Sequence, residues 1–347
     1  MTVQHDIATV SGHDKVPHVS DCPICDSKGN EWFVAPDLHY GNSGFWSVHR
    51  CHSCYHAYQW PIPADDSVLR HFYPNQYYAY RAPRVAYPPR PKTFGLKSRY
   101  QYLKFVQRYS HLNVSYNPIG ILIGKRLFRK PFGLQIPVFK PGGRILDFGC
   151  GSGSLIAFLR ALGWNAEGIE VDESAARVGR DAGLPIICGS TEILEQYTEK
   201  YDHIMAFHSL EHVVDVKRFF RAAWSALKVG GTLRIDVPNG NSLAVDTFRG
   251  KAYYVTMPVH VHLFSPRSLR LALTEAHFRD LQIKTFNVPE SSAASWCVHY
   301  LSKTGRSLSF RSVRTREQWL GSLATTFLRL RARFQDRGDC IAAVAVR

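Results

Sequence analysis

The residues with the clearest chemical potential in this chain are an acid and three glycines between positions 147 and 153. Asp147 ends an apolar run that is typical of a buried parallel strand. Gly149, Gly151 and Gly153 follow at every second position, and without a Cβ they let the backbone come close to a ligand. The segment after Gly153 predicts a helix. Strand, glycine-rich turn and helix together predict a cradle for a nucleotide-like cofactor.

The spacing of the glycines and the acid narrow the class of cofactor. A dinucleotide-binding loop carries Gly-x-Gly-x-x-Gly around a pyrophosphate, whereas this loop carries Gly-x-Gly-x-Gly. A carboxylate at Asp147 would repel a phosphate group, so a ligand with a cationic end and no phosphate fits better. S-adenosylmethionine, which has a sulfonium and an ammonium group, is such a ligand.

A second acid supports the same ligand. The segment from Trp164 predicts a second strand that ends on Glu170, 17 residues after Gly153. In a doubly wound sheet, an acid at the end of the second strand accepts hydrogen bonds from ribose hydroxyls. The alternative is an ordinary βαβ turn whose polar residues cap a helix.

Two segments rich in histidine follow later predicted strands, where substrate chemistry takes place in such a sheet. His208, Glu211 and His212 come directly after the fourth strand, and His260 lies after the fifth. A methyl transfer is an in-line displacement at a sulfonium carbon and often requires a proton to leave the nucleophile. Because histidine exchanges protons near neutral pH, His260 is the first candidate for the base and His208 the second.

Each of these catalytic candidates has a structural alternative. A histidine whose ring is satisfied by backbone groups would have no part in chemistry. Glu211 and His212 are also candidates for catalysis, but both could instead start a helix and pack against it. Tyr77 belongs to an aromatic run in the amino-terminal part, from which it could reach the cleft as a further catalytic residue.

The eight cysteines fall into two groups. Four are scattered, and four form two Cys-x-x-Cys pairs with 25 residues between them: Cys22, Cys25, Cys51 and Cys54. Two such pairs supply four thiolates to one tetrahedral Zn²⁺. A redox pair or two disulfides are the alternatives, which a cytoplasmic chain disfavours, and a nearby histidine could replace a ligand. We expect four sulfurs to hold one structural zinc ion.

The charge of the chain is concentrated in one segment. No Asp or Glu lies between Asp66 and Asp147, whereas 15 Lys and Arg do, and the remainder balances 28 bases against 28 acids. The segment could attract an acidic partner, such as a nucleotide sugar, a phosphorylated glycan, nucleic acid or an anionic membrane surface. It could equally be a solvated basic linker. Within it, the apolar-then-basic stretch 120–130 could rest on a membrane surface, but we favour a lid over the active site.

The length and composition of the chain indicate how many domains it can form and whether it carries a signal or membrane-spanning segment. A chain of 347 residues is long enough for about two domains. The first twenty residues are polar and resemble no secretory signal, and no uncharged run reaches the roughly 18 residues of a membrane-spanning helix. We therefore expect a cytoplasmic protein.

Taken together, the motifs resemble class I S-adenosylmethionine-dependent methyltransferases over residues 142–290. Gly143 to Gly153 is similar to the first motif of that family, Glu170 to its ribose-binding acid, 201–213 to its fourth strand and 227–238 to its fifth. The resemblance implies an α/β fold, a doubly wound seven-stranded Rossmann-like sheet. The cofactor-binding residues that it implies are Asp147, Phe148, Gly149, Cys150, Gly151, Gly153, Glu170, Val171, Ser190 and His208.

The same resemblance predicts how the rest of the chain is arranged. It implies a final strand, from Asp339 to Val346, that lies antiparallel between strands five and six. We expect a zinc-ribbon module over 1–62 and a basic, aromatic helical linker or lid over 63–139. The cofactor-binding domain would cover 140–290, and a helical extension with the final strand 291–347.

The complete layout resembles a bacterial subset of these enzymes that carries an amino-terminal zinc ribbon. Members of that subset are often associated with polysaccharide or deoxysugar biosynthesis, which implies a small-molecule or glycan acceptor, with histidine assisting the transfer. Three alternatives remain open. They are an RNA methyltransferase, a lipid or quinone methyltransferase, and a non-catalytic scaffold. The sequence leaves open the oligomeric state and whether oxygen, nitrogen or carbon receives the methyl group.

Overall fold

The computed structural model describes residues 19–74, 81–83, 136–303 and 309–347. The strands within this part of the chain are β1 (Val19–Asp21), β2 (Lys28–Pro36), β3 (Phe45–Cys51), β4 (Ala57–Trp60), β5 (Arg144–Phe148), β6 (Asn165–Glu170), β7 (Ile186–Cys188), β8 (Tyr201–Phe207), β9 (Leu227–Pro238), β10 (His262–Leu263), β11 (Arg279–Phe286) and β12 (Cys340–Val346). Most of the basic segment, including 120–130, and the catalytic candidate Tyr77 lie outside the described residues.

Ten α-helices are described in the same ranges. They are α1 (Asp66–Leu69), α2 (Ser154–Ala161), α3 (Glu173–Asp181), α4 (Thr191–Leu194), α5 (Val216–Ala226), α6 (Leu243–Phe248), α7 (Pro266–Glu275), α8 (Pro289–Lys303), α9 (Thr315–Ala324) and α10 (Thr326–Phe334). Helix α7 begins with Ser265 as the N-cap and Pro266 in the first turn. Within the described residues, no helix combines the length and the apolar composition that a membrane crossing requires.

The larger sheet has the predicted α/β architecture. Its strand order is β11-β12-β9-β8-β5-β6-β7. β5 pairs in parallel with β6 and β8, and β6 pairs in parallel with β7. β12 runs antiparallel between β9 and β11. The final strand therefore lies where the resemblance placed it, and the seven-stranded Rossmann-like fold is confirmed.

The smaller sheet has five strands in the order β1-β2-β3-β4-β10. Its first four strands come from the amino-terminal cysteine-containing module. The fifth comes from the segment after β9, where His262 and Leu263 pair antiparallel with Tyr58 and Ala57 of β4. The amino-terminal module thus completes its sheet with a strand from more than 200 residues away in sequence, which the domain boundaries predicted above did not include.

The chain divides into two compact units. The first comprises Met1–Tyr77, Ala206–Ser225 and Thr232–Arg347, and the second comprises Tyr78–Met205 and Ala226–Gly231. In the first unit, apolar residues of β2 to β4 pack in one core with α6, the segment after it, and β10. The buried members of that core are Ala35, Trp46, Val48, Ala57, Ala244, Val245, Phe248, Ala252, Val255, Met257 and Leu263.

Candidate functional site

The glycine-rich loop has the backbone conformation that its glycines predict. Gly149, Gly151 and Gly153 have φ angles of 72°, 56° and 87°, which lie in the left-handed region that glycine adopts without steric cost. The amides of Gly149 and Cys150 both donate to the carbonyl of Ile169, at 2.8 and 3.2 Å. These bonds hold the start of the loop against the end of β6.

Gly168 of β6, which the sequence analysis did not single out, lies close to the glycine-rich loop and to α2. A Cβ at this position would lie 2.4 Å from Cδ1 of Ile156 and 2.5 Å from Sγ of Cys150. Both distances are shorter than any real carbon contact, so a side chain here would push the loop and α2 away from the sheet. The glycine therefore permits the close approach that places the loop beside β6.

Glu170 is tied to the same loop by its carboxylate. Its Oε2 accepts from the amide of Gly151 at 2.7 Å, and its Oε1 accepts from the amide of Asp172 at 2.9 Å. Asp172 in turn caps α3, accepting from the amide of Ala175 at 3.0 Å. The side chain is buried, but each carboxylate oxygen has a further lone pair for a ligand hydroxyl.

Asp147 lies at the end of β5 with its carboxylate buried, at 4% exposure. No hydrogen bond or ion pair to this carboxylate is formed within the described residues. Burial, and then the nearby charge of Glu170, raise the pKa of Asp147 to about 8. A buried, unpaired carboxyl is costly unless a cation or donor meets it, so its environment suits the cationic end of a ligand.

The other predicted cofactor-binding residues in this region have varied surroundings. Phe148 is buried in the sheet, and the Cys150 thiol donates to the carbonyl of Gly151 at 3.5 Å. Val171 and Ser190 are half-buried, and the Ser190 amide donates to Oε1 of Glu192 at 2.7 Å. Their roles in cofactor binding stay predictions.

The segment after β8 holds a histidine–carboxylate pair in the first unit. Nδ1 of His208 lies 3.4 Å from Oε1 of Glu211, and the His208 side chain is 43% exposed whereas that of Glu211 is 1% exposed. Burial would lower the pKa of His208, but the hydrogen bond and charge of Glu211 outweigh it and raise that pKa. Burial would raise the pKa of Glu211, but His208 and two further histidines lower it to about 2. A charged Glu211 thus orients Nδ1–H. Nε2, which lies 4.0 Å from Oδ1 of Asp236, is the nitrogen that can exchange a proton.

His208 has an unusual backbone conformation and unusual surroundings. Its backbone has a φ of +53°, a conformation that non-glycine residues seldom adopt and that often occurs at functional sites. Its amide donates to the carbonyl of Asp236 at 2.7 Å, and its ring lies parallel to that of Tyr254 with centroids 6.1 Å apart. Among the described residues, Oε2 of Glu211 and Oδ1 of Asp236 are buried acceptors without a hydrogen-bond partner. Unsatisfied acceptors of this kind fit a ligand that brings hydroxyl or amine donors.

His260 and His212 lie together below the surface. Their rings meet edge to face with centroids 4.8 Å apart. Nδ1 of His260 donates to the carbonyl of Tyr254 at 2.9 Å, and Nδ1 of His212 donates to that of Val259 at 2.7 Å. Burial, followed by the neighbouring His212, lowers the pKa of His260 to about 3. Both rings therefore donate to backbone carbonyls, as expected of histidines with a structural role.

The four cysteines of the two Cys-x-x-Cys pairs converge in the amino-terminal module. The two pairs form nearly identical turns. The backbone amide of Asp26 donates to the carbonyl of Cys22 at 3.0 Å, and the backbone amide of Tyr55 donates to that of Cys51 at 3.2 Å. Asp26 and Tyr55 each follow the second cysteine of a pair, and both have a positive φ, 56° and 59°. Backbone amides also point at the sulfurs, for example Ile24 to Sγ of Cys22 at 3.4 Å. Such N–H groups stabilise thiolates.

The distances between the sulfurs suit a tetrahedral metal ion. Sγ atoms lie 3.6 Å apart for Cys22–Cys54, 3.5 Å for Cys25–Cys51 and 3.4 Å for Cys25–Cys54. Four ligands at the usual zinc–sulfur distance of about 2.3 Å would stand about 3.8 Å apart at the corners of a tetrahedron. A disulfide would need about 2.0 Å, and all four thiols are free. The donor set and spacing thus fit zinc and do not fit disulfides.

A chain of hydrogen bonds leads from the second cysteine pair toward the histidine segments. Oγ of Ser265 donates to the carbonyl of Cys54 at 2.6 Å. Nε2 of His56 lies 3.0 Å from Nδ1 of His262, whose Nε2 donates to the carbonyl of Val214 at 3.1 Å. Burial lowers the pKa of both histidines, so each is neutral and has one donor and one acceptor nitrogen. The position of the loop that carries His260 and His262 is therefore linked to the cysteine module.

Several residues of this region were missed by the sequence analysis. Tyr73, whose hydroxyl lies 3.0 Å from Nδ1 of His212, Tyr254 and Asp236 stand out only once the chain is folded. Asp236 had a weak signal, because it is an acid near the end of a predicted strand. His56 is among the histidines near the cysteines that could have replaced a metal ligand, whereas in the structure it pairs with His262.

Comparisons with known proteins agree with this geometry. The sequence model of a family described as "Methyltransferase domain" matches residues 124–283. The human mitochondrial ubiquinone biosynthesis O-methyltransferase is 33% identical over 124 residues, 31% of this chain and 34% of that protein. The ubiquinone biosynthesis O-methyltransferase of Methylobacterium nodulans is 32% identical over 33% of this chain and 50% of that protein. The chain thus spans a third to a half of the length of these relatives.

Among solved structures, a SAM-dependent methyltransferase from Archaeoglobus fulgidus is 21% identical, with a TM-score of 0.44 over 71% of this chain and 99% of that one. The family match covers the glycine-rich loop, Glu170, the strands β8 and β9, and the histidine-containing segments that follow them. Residues 124–283 of this chain are therefore similar to the methyltransferase domain family.

Proposed function

We propose that this protein is an S-adenosylmethionine-dependent methyltransferase that transfers a methyl group to a hydroxyl of a small molecule. The observation that carries the proposal is the buried carboxyl of Asp147, which has no hydrogen bond or ion pair with another described residue, at a glycine-rich loop in the part of the chain that resembles a methyltransferase domain. S-adenosylmethionine supplies an electrophilic methyl group on a sulfonium sulfur. Asp147 would face the cationic end of this cofactor, and Glu170 would accept from its ribose hydroxyls. Because its glycines have no Cβ, the backbone of the glycine-rich loop could approach the cofactor closely.

Replacing Glu170 by alanine should weaken S-adenosylmethionine binding by about 10- to 100-fold, because hydrogen bonds to a carboxylate are worth about 1.5–3 kcal/mol each. Isothermal titration calorimetry of the purified protein measures this directly. Glu173→Ala is the matched control, since Glu173 is an exposed acid three residues further on. Equal affinity in the wild type and the Glu170 variant would remove Glu170 from the cofactor site, and no binding by folded wild-type protein would overturn the proposed function.

Binding of the cofactor should also release a proton near neutral pH. Asp147 has a pKa of about 8 in the unliganded protein, so it is largely protonated at pH 7. A cationic ligand beside it stabilises the charged form and lowers that pKa, so the proton leaves on binding. The affinity should therefore increase as the pH rises toward 8. Calorimetry at pH 7 in two buffers of different ionisation enthalpy measures the released proton, and the Asp147→Asn variant should show no release.

For the proton-accepting role we propose His208 in preference to His260. His208 is partly exposed and has a raised pKa, and Glu211 orients its ring. His260 is buried and donates Nδ1–H to a backbone carbonyl, and its pKa is about 3, so it is a weak base. In this proposal Nε2 of His208 removes the acceptor's hydroxyl proton as the oxygen takes the methyl group. Glu211 is then a positioning residue, and His212 and His260 hold the surrounding loop.

A hydroxylated aromatic precursor of a quinone is the acceptor class that we propose to test first. Both relatives named above are called ubiquinone biosynthesis O-methyltransferases, and the unsatisfied acceptor oxygens of Glu211 and Asp236 suit a substrate with adjacent hydroxyl donors. The polysaccharide role expected from the resemblance has no support in these comparisons. Assays of methyl transfer from labelled S-adenosylmethionine to catechols, nucleotide sugars and RNA separate the three classes. Methylation of sugars alone would favour the glycan acceptor instead.

We further propose that the four cysteines hold one structural zinc ion. The support is the set of four convergent sulfurs and the two matching turns that present them. Four thiolates fill a tetrahedral site completely and leave no position for substrate, so the metal would take no part in the transfer. The cytoplasmic compartment and the predicted nucleic-acid and nucleotide-sugar partners stay predictions.

A further inference from the structure

The carboxyl-terminal helices α9 and α10 present large apolar side chains to solvent. The exposed fractions are 63% for Trp319, 47% for Leu320, 57% for Leu323, 76% for Phe327, 50% for Leu330 and 88% for Phe334. A soluble surface normally carries such side chains singly. Here Trp319, Leu323, Phe327, Leu330 and Phe334 follow one another at intervals of three or four residues. Within each of the two helices, which are separated at Thr325, that is the spacing of one helical face.

The faces of α10 are sharply divided. At about 100° per residue, Phe327, Leu330 and Phe334 fall within an arc of about 60°. Ala332 and Leu328 lie on the opposite side, where Ala332 is buried and Leu328 packs against the core of the first unit. The helix is therefore anchored by one face, so its exposed apolar face is a property of the folded protein.

Arginines flank this apolar face. Arg331 and Arg333 are both exposed, and on the helical wheel they lie on opposite edges of the arc formed by Phe327, Leu330 and Phe334. Long basic side chains at the edges of an apolar face can reach phosphate groups while the face itself is buried in a less polar medium. The pattern is that of a helix lying in a membrane interface.

The charge of the whole segment points the same way. Residues 309–337 contain seven arginines and two acids, and five of the arginines are exposed: Arg311, Arg314, Arg316, Arg331 and Arg333. One of the acids, Glu317, is half-buried and accepts from the amide of Arg314 at 2.8 Å. A second copy of this chain docked face to face would bring like charges together. An anionic surface would instead be attracted to them.

We propose that α9 and α10 form a docking surface for an anionic phospholipid membrane, with their exposed aromatic and leucine side chains inserted at the boundary between headgroups and acyl chains. The surface brings the protein to a bilayer as a peripheral protein. It shares no residue with the cysteine cluster, the glycine-rich loop or the histidine segments, and it does not depend on the methyl-transfer function proposed above. It is also distinct in sequence from the basic stretch 120–130.

The apolar part of the proposal is tested by vesicle co-sedimentation of the full-length protein. We expect binding to vesicles made of equal parts phosphatidylcholine and phosphatidylglycerol, and little binding to phosphatidylcholine alone. The triple variant Phe327→Ser, Leu330→Ser, Phe334→Ser should bind the anionic vesicles at least about tenfold more weakly, because it removes most of the insertable apolar area. Val138→Ser with Val229→Ser is the matched control, since these valines are 64% and 76% exposed elsewhere and should leave binding unchanged.

Two further experiments test the contribution of charge to vesicle binding and the insertion of the aromatic side chains into the bilayer. Arg331→Glu with Arg333→Glu should weaken binding and its salt dependence, whereas Arg267→Glu with Arg270→Glu, exposed on α7, should have a much smaller effect. Brominated lipid should quench fluorescence in the wild type, and Trp319→Phe should remove most of that quenching.

Three outcomes would overturn the proposal. They are wild-type protein that stays in the supernatant with anionic vesicles, vesicle binding that the triple variant retains in full, and a concentration-dependent dimer that the triple variant abolishes without any vesicle binding. The last result would assign the surface to a second copy of the chain. Calorimetric titration of each variant with S-adenosylmethionine distinguishes failure of this proposal from failure of the proposed enzyme function, because the cofactor affinity should not change.

Discussion

Replacing His208 by alanine should lower kcat by about 100- to 10,000-fold, the usual range for removal of a general base, and leave the affinity for S-adenosylmethionine nearly unchanged. The reason is the arrangement around this ring, in which the buried, charged Glu211 holds Nδ1–H and leaves Nε2 for the acceptor's proton. The measurement is single-turnover transfer of a labelled methyl group to whichever acceptor the substrate assays identify. His277→Ala, at another exposed histidine, is the control.

The pH dependence tests the same assignment without relying on lost activity alone. The base must be neutral to accept a proton, so kcat/KM should rise with pH and level off above the raised pKa of His208. In Glu211→Gln the stabilising charge is gone while burial still lowers that pKa. The rising limb should therefore move to lower pH, with a lower plateau because the ring is less well oriented. An unshifted limb in Glu211→Gln, or full activity in His208→Ala, would contradict this role and return His260 to first place.

Removing the metal from the cysteine cluster should unfold the amino-terminal module. Zinc binding contributes about 10–16 kcal/mol in small zinc domains, which is comparable to the total stability of a typical domain of about 5–15 kcal/mol. A Cys51→Ser variant should therefore lose bound zinc and the thermal unfolding transition of the amino-terminal module. Zinc content by atomic absorption and melting followed by circular dichroism measure the two effects. Cys188→Ser, at a half-buried cysteine outside the cluster, should retain both.

Loss of the metal should also abolish methyl transfer, although the proposed zinc ion would take no part in the chemistry. The Ser265–Cys54 hydrogen bond and the His56–His262 pair connect the cysteine module to the loop that carries His260. When the module unfolds, that loop and the strand β10 lose their partners. A metal-free protein that keeps its fold and forms disulfides between the cysteines would contradict the structural role and favour the redox alternative.

The surroundings of the candidate histidines could not be inferred from the sequence alone. By sequence, His260 is the first candidate for the base because it is a histidine that follows the fifth predicted strand. In the structure its ring lies in the interior, where burial lowers its pKa to about 3 and its Nδ1–H donates to a backbone carbonyl. Burial of a ring depends on which distant segments cover it, and the spacing of residues along the chain does not contain that information.

The sequence by itself determined the features whose parts lie close together along the chain. The glycine-rich loop, the acid ending the second strand and the paired cysteine turns each need only a few neighbouring residues, because their backbone geometry is local. The antiparallel position of β12 between β9 and β11 was implied by the resemblance to a known family. Only the tertiary structure decided which histidine has an acidic partner, that β10 completes the amino-terminal sheet, and that α10 exposes its apolar face. Each of these depends on packing between segments far apart in sequence, where burial and neighbouring charge set the chemistry.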